Sequence, residues 1–444
     1  MGNTPLYDAL RTFADTEPLR MHMPGHKGRP LPAPELAALA RLDFTELLPT
    51  GDLFSGGDAI EEAERLWAEV FHMKSCLFLT GGSTQGVQAA LALSCRPGEQ
   101  ILLDRGSHRS AYNALALLDL RPVWLARPWL EGAGITGPIS PAAVERALSE
   151  HQNIRTVCIT SPTYYGVLSD LPALAAICHA HGAVLVVDAA HGAHLPFLGN
   201  FALAAADAAV VSAHKTLPAP GQSALLLAGE RFSAGQLRWA ASLSGSSSPS
   251  YPMMAALDVC RAWMEAEGGA AYRETVGQVA ALRRDYPALT EADAPLDPAR
   301  LVLRAGDGFA VQAALEELGV WPEMADAGHV VMIPTCADTP EQFARLRRAL
   351  DAAELGIPAP FPPPPPLPEA VLTPRQALFS PTETLPLDAA EGRIAARQIA
   401  PYPPGVPVLA PGERICKKTI AYLKQIGYNT LEDIAVVAAS VCVS

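Results

Sequence analysis

The sequence predicts an α/β protein built on a large, mostly parallel sheet. Three observations carry that expectation. Short apolar runs, often β-branched, recur between about residues 75 and 230: "SCLFLT", "QILLD", "PVWLA", "TVCIT", "AVLVVD", "AAVVSA" and "ALLLA". Amphipathic stretches such as "TQGVQAALALSC" and "LPALAAICHAHG" separate several of them. The runs are apolar throughout rather than alternating, as strands covered on both faces are.

The remaining elements follow in order. At 444 residues the chain is too long for one simple core, so two or three domains are expected. Residues 1–50 form an N-terminal segment and 51–270 the large domain. A long helical stretch beginning near "SYPMMAALDVCRAWMEAEGG" connects to a small α/β domain over 271–357. There "ARLVLRAG", "FAVQAALEELGV" and "GHVVMIPT" read strand, helix, strand, and "TPEQFARLRRALDAAE" reads as a further helix. The polyproline-like tract 358–368 is a stiff linker, and 369–444 is a C-terminal module.

Composition narrows the function classes. The formal charge of −13 argues against nucleic acid or an anionic membrane as the main partner. The eight cysteines form no CxxC pair and mostly lie in apolar runs, so they read as core residues of a reducing compartment, with no metal site. The N-terminus has no apolar signal core and no run is long enough to span a bilayer, which makes the cytoplasm the expected location.

The chemistry concentrates at strand ends. In "VVDAAHGAH", Asp188 closes an apolar run and falls where open α/β sheets place ligands. Lys215 follows the next run, "AAVVSA", so two neighbouring strands would deliver a carboxylate and a lysine to one sheet edge. A desolvated lysine forms Schiff bases with aldehydes, and an acid facing it can hold a pyridine nitrogen protonated. A structural Asp–Lys ion pair meets the same two-residue pattern. The third element is "LFLTGGSTQGVQAALAL", a strand, a Gly-rich turn and a helix whose first amides, with Ser83 and Thr84, make an anion site. Neither GxxxxGK[ST] nor GxGxxG is present. A phosphate cradle, an acid and a lysine together fit pyridoxal 5'-phosphate, and Ser212 and His214 flank the lysine within reach of the phosphate.

The segments "MHMPGHKG", "GGSTQG", "RGSHRS", "SPTYYG", "VVDAAHGAH", "SAHKTLPAPGQSALL" and "YPPGVPVLAPGE" together resemble the Orn/Lys/Arg decarboxylase family, in its short bacterial form. The resemblance runs from the N-terminus to about residue 415. It implies an aspartate-aminotransferase-like fold, fold type I, usually working as a homodimer or higher homo-oligomer. It implies a Schiff-base role for Lys215, a pyridine-nitrogen partner in Asp188 and a ring-stacking role for His108. Ser83, Thr84, Ser212 and His214 would surround the phosphate, and His191 would line the ring. The N-terminal segment with His22 and His26 would lie near the active site, although "PGHKG" also reads as a structural turn.

The implied reaction is decarboxylation of lysine, arginine or ornithine to a diamine or polyamine precursor. An acid at the far end of the pocket would meet the basic side chain: Glu413 of the C-terminal module, or less directly Asp52. Three patches depart from the family pattern: Ala189 in place of an acid, Phe54 where a histidine is frequent, and Gly221-Gln222 where Thr-Gln is common. They leave two other expectations open, a pyridoxal aminotransferase or lyase and a non-catalytic relative. An aminotransferase would need an arginine for the α-carboxylate, and Arg304 and Arg393 are available.

Overall fold

The computed structural model describes residues 2–29, 37–358, 362–401, 407–426 and 433–439. Parts of the proline tract and of "YPPGVPVLAPGE", and Cys442, lie outside the described residues.

The apolar runs form the strands that their β-branched composition favours. They are β1 (Ser75–Leu79), β2 (Gln100–Asp104), β3 (Arg121–Leu125), β4 (Thr156–Thr160), β5 (Val184–Asp188), β6 (Ala208–Val211) and β7 (Ala224–Ala228). These are the strands of a seven-stranded, mostly parallel sheet, as expected. The chain divides into two compact, discontinuous units. The first comprises Met1–Leu93, Val186–Thr275 and Thr335–Ala337; the second comprises Ser94–Leu185, Val276–Pro334 and Asp338–Ser444.

In the first unit β5 and β6 run parallel, and β7 is antiparallel to both β6 and β1. Every residue of β6 and β7 is buried, which explains their unbroken apolar sequences. The helix Ala59–Val70 is capped by Asp58, whose side chain accepts from the Ile60 and Glu61 amides. Its Trp67 is fully buried and donates to Leu257 O at 3.1 Å, which joins it to the helix Tyr251–Trp263. A π-helical turn, Met264–Gly268, leads from there into the helix Gly269–Asp285.

In the second unit β2 pairs in parallel with β3 and with β4. The expected strand–helix–strand is β8 (Leu301–Arg304), the helix Gly308–Glu317 and β10 (His329–Met332), with the short β9 (Met324–Ala325) on the far side of β10. Their core gathers Leu282, Leu303, Val330 and Leu350. The C-terminal residues have a core of their own, with Ala395, Leu409, Ile415, Leu423 and Val436, and close through the antiparallel pair β11 (Thr382–Leu385) and β12 (Ile434–Val437). No helix among the described residues is long and apolar enough to cross a membrane.

Candidate active site

In the first unit, hydrogen bonding between neighbouring chains continues beyond the strand ends. Asp188 is in register with Val210; the Ala189 amide donates to Val210 O at 2.8 Å and the Ser212 amide to Ala190 O at 3.3 Å. The segments "DAAHG" and "SAHK" therefore leave the sheet side by side. Asp188 is buried and accepts from the Ala190 amide at 3.1 Å. Lys215 is half-buried in the short helix Ala213–Thr216, with Nζ 3.2 Å from Nε2 of the buried His191. An ammonium donates to an imidazole nitrogen and an amine accepts from an imidazole N–H, so one proton lies between the two groups in either state.

Two neighbours hold this lysine turn. His214 Nδ1 donates to Ser223 O at 2.8 Å, fixing the Pro220–Ser223 turn. Tyr272, fully buried on the helix Gly269–Asp285, donates its hydroxyl to Thr216 O and stacks on His194 at 4.9 Å. Ser212 is fully buried and its hydroxyl has no hydrogen-bond partner among the described residues. A buried hydroxyl left in this way is what a bound acceptor would satisfy.

The Gly-rich turn becomes the start of the helix Gly82–Ser94. Gly86 is required there: a Cβ would stand 2.6 Å from Leu79 Cδ1 and from Val210 Cγ1, so only glycine lets this helix lie so close to β1 and β6. Ser83 and Thr84 sit in its first turn, half-buried and exposed respectively. Gln85 braces the turn, accepting from the Gly81 amide and donating to Ala241 O, each at 2.9 Å. Gln222 O lies 3.6 Å from where a Cβ on Gly82 would be, so the turn after the lysine meets the anion cradle at the Gly221-Gln222 departure. Gln222 has φ of +77°, a left-handed conformation uncommon outside glycine. Ala189 is buried, so an acid at this position would need a compensating partner.

Pyridoxal phosphate presents a phosphate, a pyridine nitrogen and an aldehyde. The Ser212 hydroxyl, the first-turn amides with Ser83 and Thr84, Asp188 and Lys215 offer a donor or partner to each, so the residues present fit the group.

In the second unit, β2 ends at Asp104 and runs into "RGSHRS". Asp104 is fully buried and takes Arg127 Nη2 at 2.6 Å, the Gly106 amide at 2.8 Å and the Thr160 amide at 3.1 Å. His108 is exposed and caps the helix Arg109–Leu117, its Nδ1 accepting from the Ser110 amide at 3.3 Å. Glu413, expected as a substrate carboxylate, is buried against Arg105, with Oε1 2.6 Å from Nη1 and Oε2 2.8 Å from Nη2. Arg304 is bound to Asp293 and Arg393 to Glu383.

The remaining candidates are tied into local structure. His26 accepts from the Gly28 amide through Nδ1 at 3.1 Å, which leaves Nε2 to donate to Asp43 at 3.2 Å, so "PGHKG" is a braced turn. His22 Nδ1 contacts Met23 O. Asp52 accepts from the Ser55 hydroxyl at 2.6 Å and the Phe54 amide at 2.9 Å. Chiefly the Ser55 hydrogen bond holds its carboxyl below the usual aspartate range. Phe54 follows in a loop held by Arg238, which donates to Leu53 O and to the buried Glu64. Burial pushes the Glu64 carboxyl up to about 8, against the pull of Arg238 and of the Phe78 amide.

Sequence reasoning missed Arg105, the Asp104–Arg127 pair and Tyr272. Arg105 stood inside a quoted motif, but its partner is 308 residues away and nothing local marks it.

The Orn/Lys/Arg decarboxylase major-domain model matches residues 4–299, and the C-terminal-domain model of the same family matches 364–430. The chain is 31% identical to an uncharacterized protein, YaaO, of Bacillus subtilis, over 96% of this chain and 94% of that one. It is 29% identical to an arginine decarboxylase of the same organism, over 95% and 93% of the two chains. Among solved structures it is similar to a lysine decarboxylase of Francisella novicida, with a TM-score of 0.83 at 19% identity, over 98% of this chain and 80% of that one. This last likeness bears on the fold, which is that of the fold type I pyridoxal enzymes.

Proposed function

From the premise that the chain belongs to the Orn/Lys/Arg decarboxylase family and is a pyridoxal 5'-phosphate-dependent amino-acid decarboxylase, we propose that its substrate is a basic amino acid, arginine ahead of lysine and ornithine. The observation that carries the assignment of the reacting centre is the placement of Asp188, His191 and Lys215 at the carboxyl ends of two adjacent strands, with Lys215 Nζ 3.2 Å from His191. Arginine is favoured by the likeness to an arginine decarboxylase along 95% of the chain.

The cofactor, when bound, supplies an electron sink for the charge left at the α-carbon as CO2 departs. Asp188 keeps a proton on the pyridine nitrogen, and its burial strengthens that interaction. Lys215 would hold the cofactor through its Nζ, the amine at this strand edge beside His191. His191, 3.2 Å from that Nζ, would hold or return a proton there. Ser212, Ser83, Thr84 and the first amides of the helix Gly82–Ser94 bind the phosphate, while His214 keeps the turn behind the lysine in place. By the resemblance of "RGSHRS" to the family, His108 would be the residue that stacks on the ring.

The aminotransferase reading gains no support, because Arg304 and Arg393 are each held by a carboxylate. Exposed Leu19, Met21, Met23 and Leu48 in the N-terminal segment favour a self-associated form, which light scattering on the purified protein would check. The deciding experiment gives the cofactor-loaded protein arginine, lysine and ornithine in turn and follows CO2 and amine. Release of CO2 with the matching amine, fastest from arginine, is expected. Keto acid without CO2 would sink the reading.

A further inference from the structure

The loop that carries His108 is gripped from the C-terminal residues. Arg105, three residues before His108, is buried with its guanidinium 4.6 Å over the Trp124 ring. Besides the paired contact with Glu413, it donates through Nε to Pro407 O at 3.2 Å and through Nη2 to Val408 O at 2.8 Å. Its backbone is fixed as well: its amide donates to Leu125 O at 2.9 Å, and its carbonyl accepts from the buried Tyr112 hydroxyl at 2.8 Å. Glu413 is held from its own side, with the Ala410 amide donating to Oε2 at 2.7 Å. A second grip lies at the other end of the same helix. Arg375 donates to Ala116 O at 3.0 Å and to Leu117 O at 3.2 Å, closing the last turn of Arg109–Leu117, whose N-cap is His108.

This arrangement is ill suited to a carboxylate that greets a cationic substrate. Glu413 is 1% exposed and both of its oxygens are bound by one guanidinium. An arriving ammonium or guanidinium would have to displace Arg105 and leave that charge buried without its partner. A bidentate pair instead fixes orientation as well as distance. We propose that Glu413 is a positioning residue: through its paired hydrogen bonds to Arg105 it sets the Asp104–His108 loop, and so sets His108, from the C-terminal module. This rests on the reading that His108 meets the cofactor ring.

The test uses the full-length protein with and without cofactor. The variants are Glu413→Asp, which keeps the charge but shortens its reach, Glu413→Gln, Arg105→Lys, the Glu413→Gln/Arg105→Lys double variant, and His108→Ala. Amide hydrogen exchange over residues 104–110 is read in the cofactor-free protein. The absorption and circular dichroism of the bound cofactor, with kcat and KM, are read in the loaded protein. Glu413→Asp is expected to speed exchange in the loop, to shift the cofactor signal in the same sense as His108→Ala, and to lower kcat roughly tenfold to a hundredfold with little change in KM. The double variant should lose no more than the worse single one, because both act through one contact. Unchanged exchange in every Glu413 variant that folds overturns the proposal. So do additive losses, or a raised KM for basic substrates with an unmoved cofactor signal, which is the mark of direct substrate contact. If His108→Ala leaves the cofactor signal unmoved, the His108 reading fails and takes the proposal with it. If His108→Ala moves the signal and Glu413→Asp does not, only the positioning role fails.

Discussion

Two aspartates close two buried strands of the sheet, Asp104 after "QILL" and Asp188 after "VLVV". Their sequence settings are nearly interchangeable and both are buried. Their surroundings are not. Asp104 meets a guanidinium: Arg127 donates to it from Nε and Nη2, and the Gly106 and Thr160 amides complete its coordination. Asp188 accepts from the Ala190 amide and shares its sheet edge with the segment that carries Lys215. The difference teaches that a strand-end acid takes its role from what the neighbouring chain delivers. An arginine turns it into a loop anchor. A lysine segment beside a histidine leaves it in a setting where a cofactor can be held.

Substitutions that should separate the two ends sharpen this contrast. The largest effect is expected at the lysine. Lys215→Ala should reduce decarboxylation by at least about 10⁴-fold, to background, while far-UV circular dichroism stays unchanged. An active variant would break the assignment of this strand edge. Asp188→Asn keeps nearly the same shape and loses the charge; cofactor should still bind, with kcat reduced roughly 10²–10⁴-fold. Titration with cofactor and steady-state kinetics separate those two quantities.

At the other strand end the loss should fall first on stability. Asp104→Asn leaves the buried Arg127 without its counter-charge, which costs roughly 3–5 kcal/mol by denaturant unfolding. If Asp104→Asn cost rate and no stability, or Asp188→Asn cost stability and no rate, the contrast would collapse.

A smaller effect comes from a third buried carboxylate, Asp326. Burial alone would raise its pKa, but hydrogen bonds from His329 and Tyr165, the His329 charge and the Gly328 amide hold it below the usual aspartate range. A carboxyl lowered in the folded state adds stability above its unfolded pKa, and that contribution disappears as pH falls through the folded value. The stability gap between the wild type and Asp326→Asn should therefore be full near neutrality and shrink as the pH drops below about 4. Urea unfolding across that range reads it. Tyr165→Phe, which removes one hydrogen bond to the same carboxylate, should cost about 1 kcal/mol at neutral pH.

Much of the first strand edge was legible in the sequence because its determinants are short-range. Unbroken apolar runs place β5 and β6, and Asp188 and Lys215 stand at or just past their ends. Gly86 was visible as a small residue in an otherwise ordinary helix, but the contact that demands it, with Leu79 and Val210, emerged only when strands far apart in the chain were laid together. The reading of Glu413 shows where local inference stopped. Its motif marked it as a residue with a role, yet its partner Arg105 lies 308 positions earlier, and the pair forms only through the packing of the C-terminal module.

By itself, then, the sequence determined the periodicities, the strand ends and the residue types placed there, because hydrophobic patterning and backbone preference act over a few residues. The tertiary structure alone decided which buried acidic and basic groups meet one another: Asp104 with Arg127, Glu413 with Arg105, Glu64 with Arg238. A buried charge needs a counter-charge at contact distance, and in each of these pairs the fold draws the partner from another part of the chain.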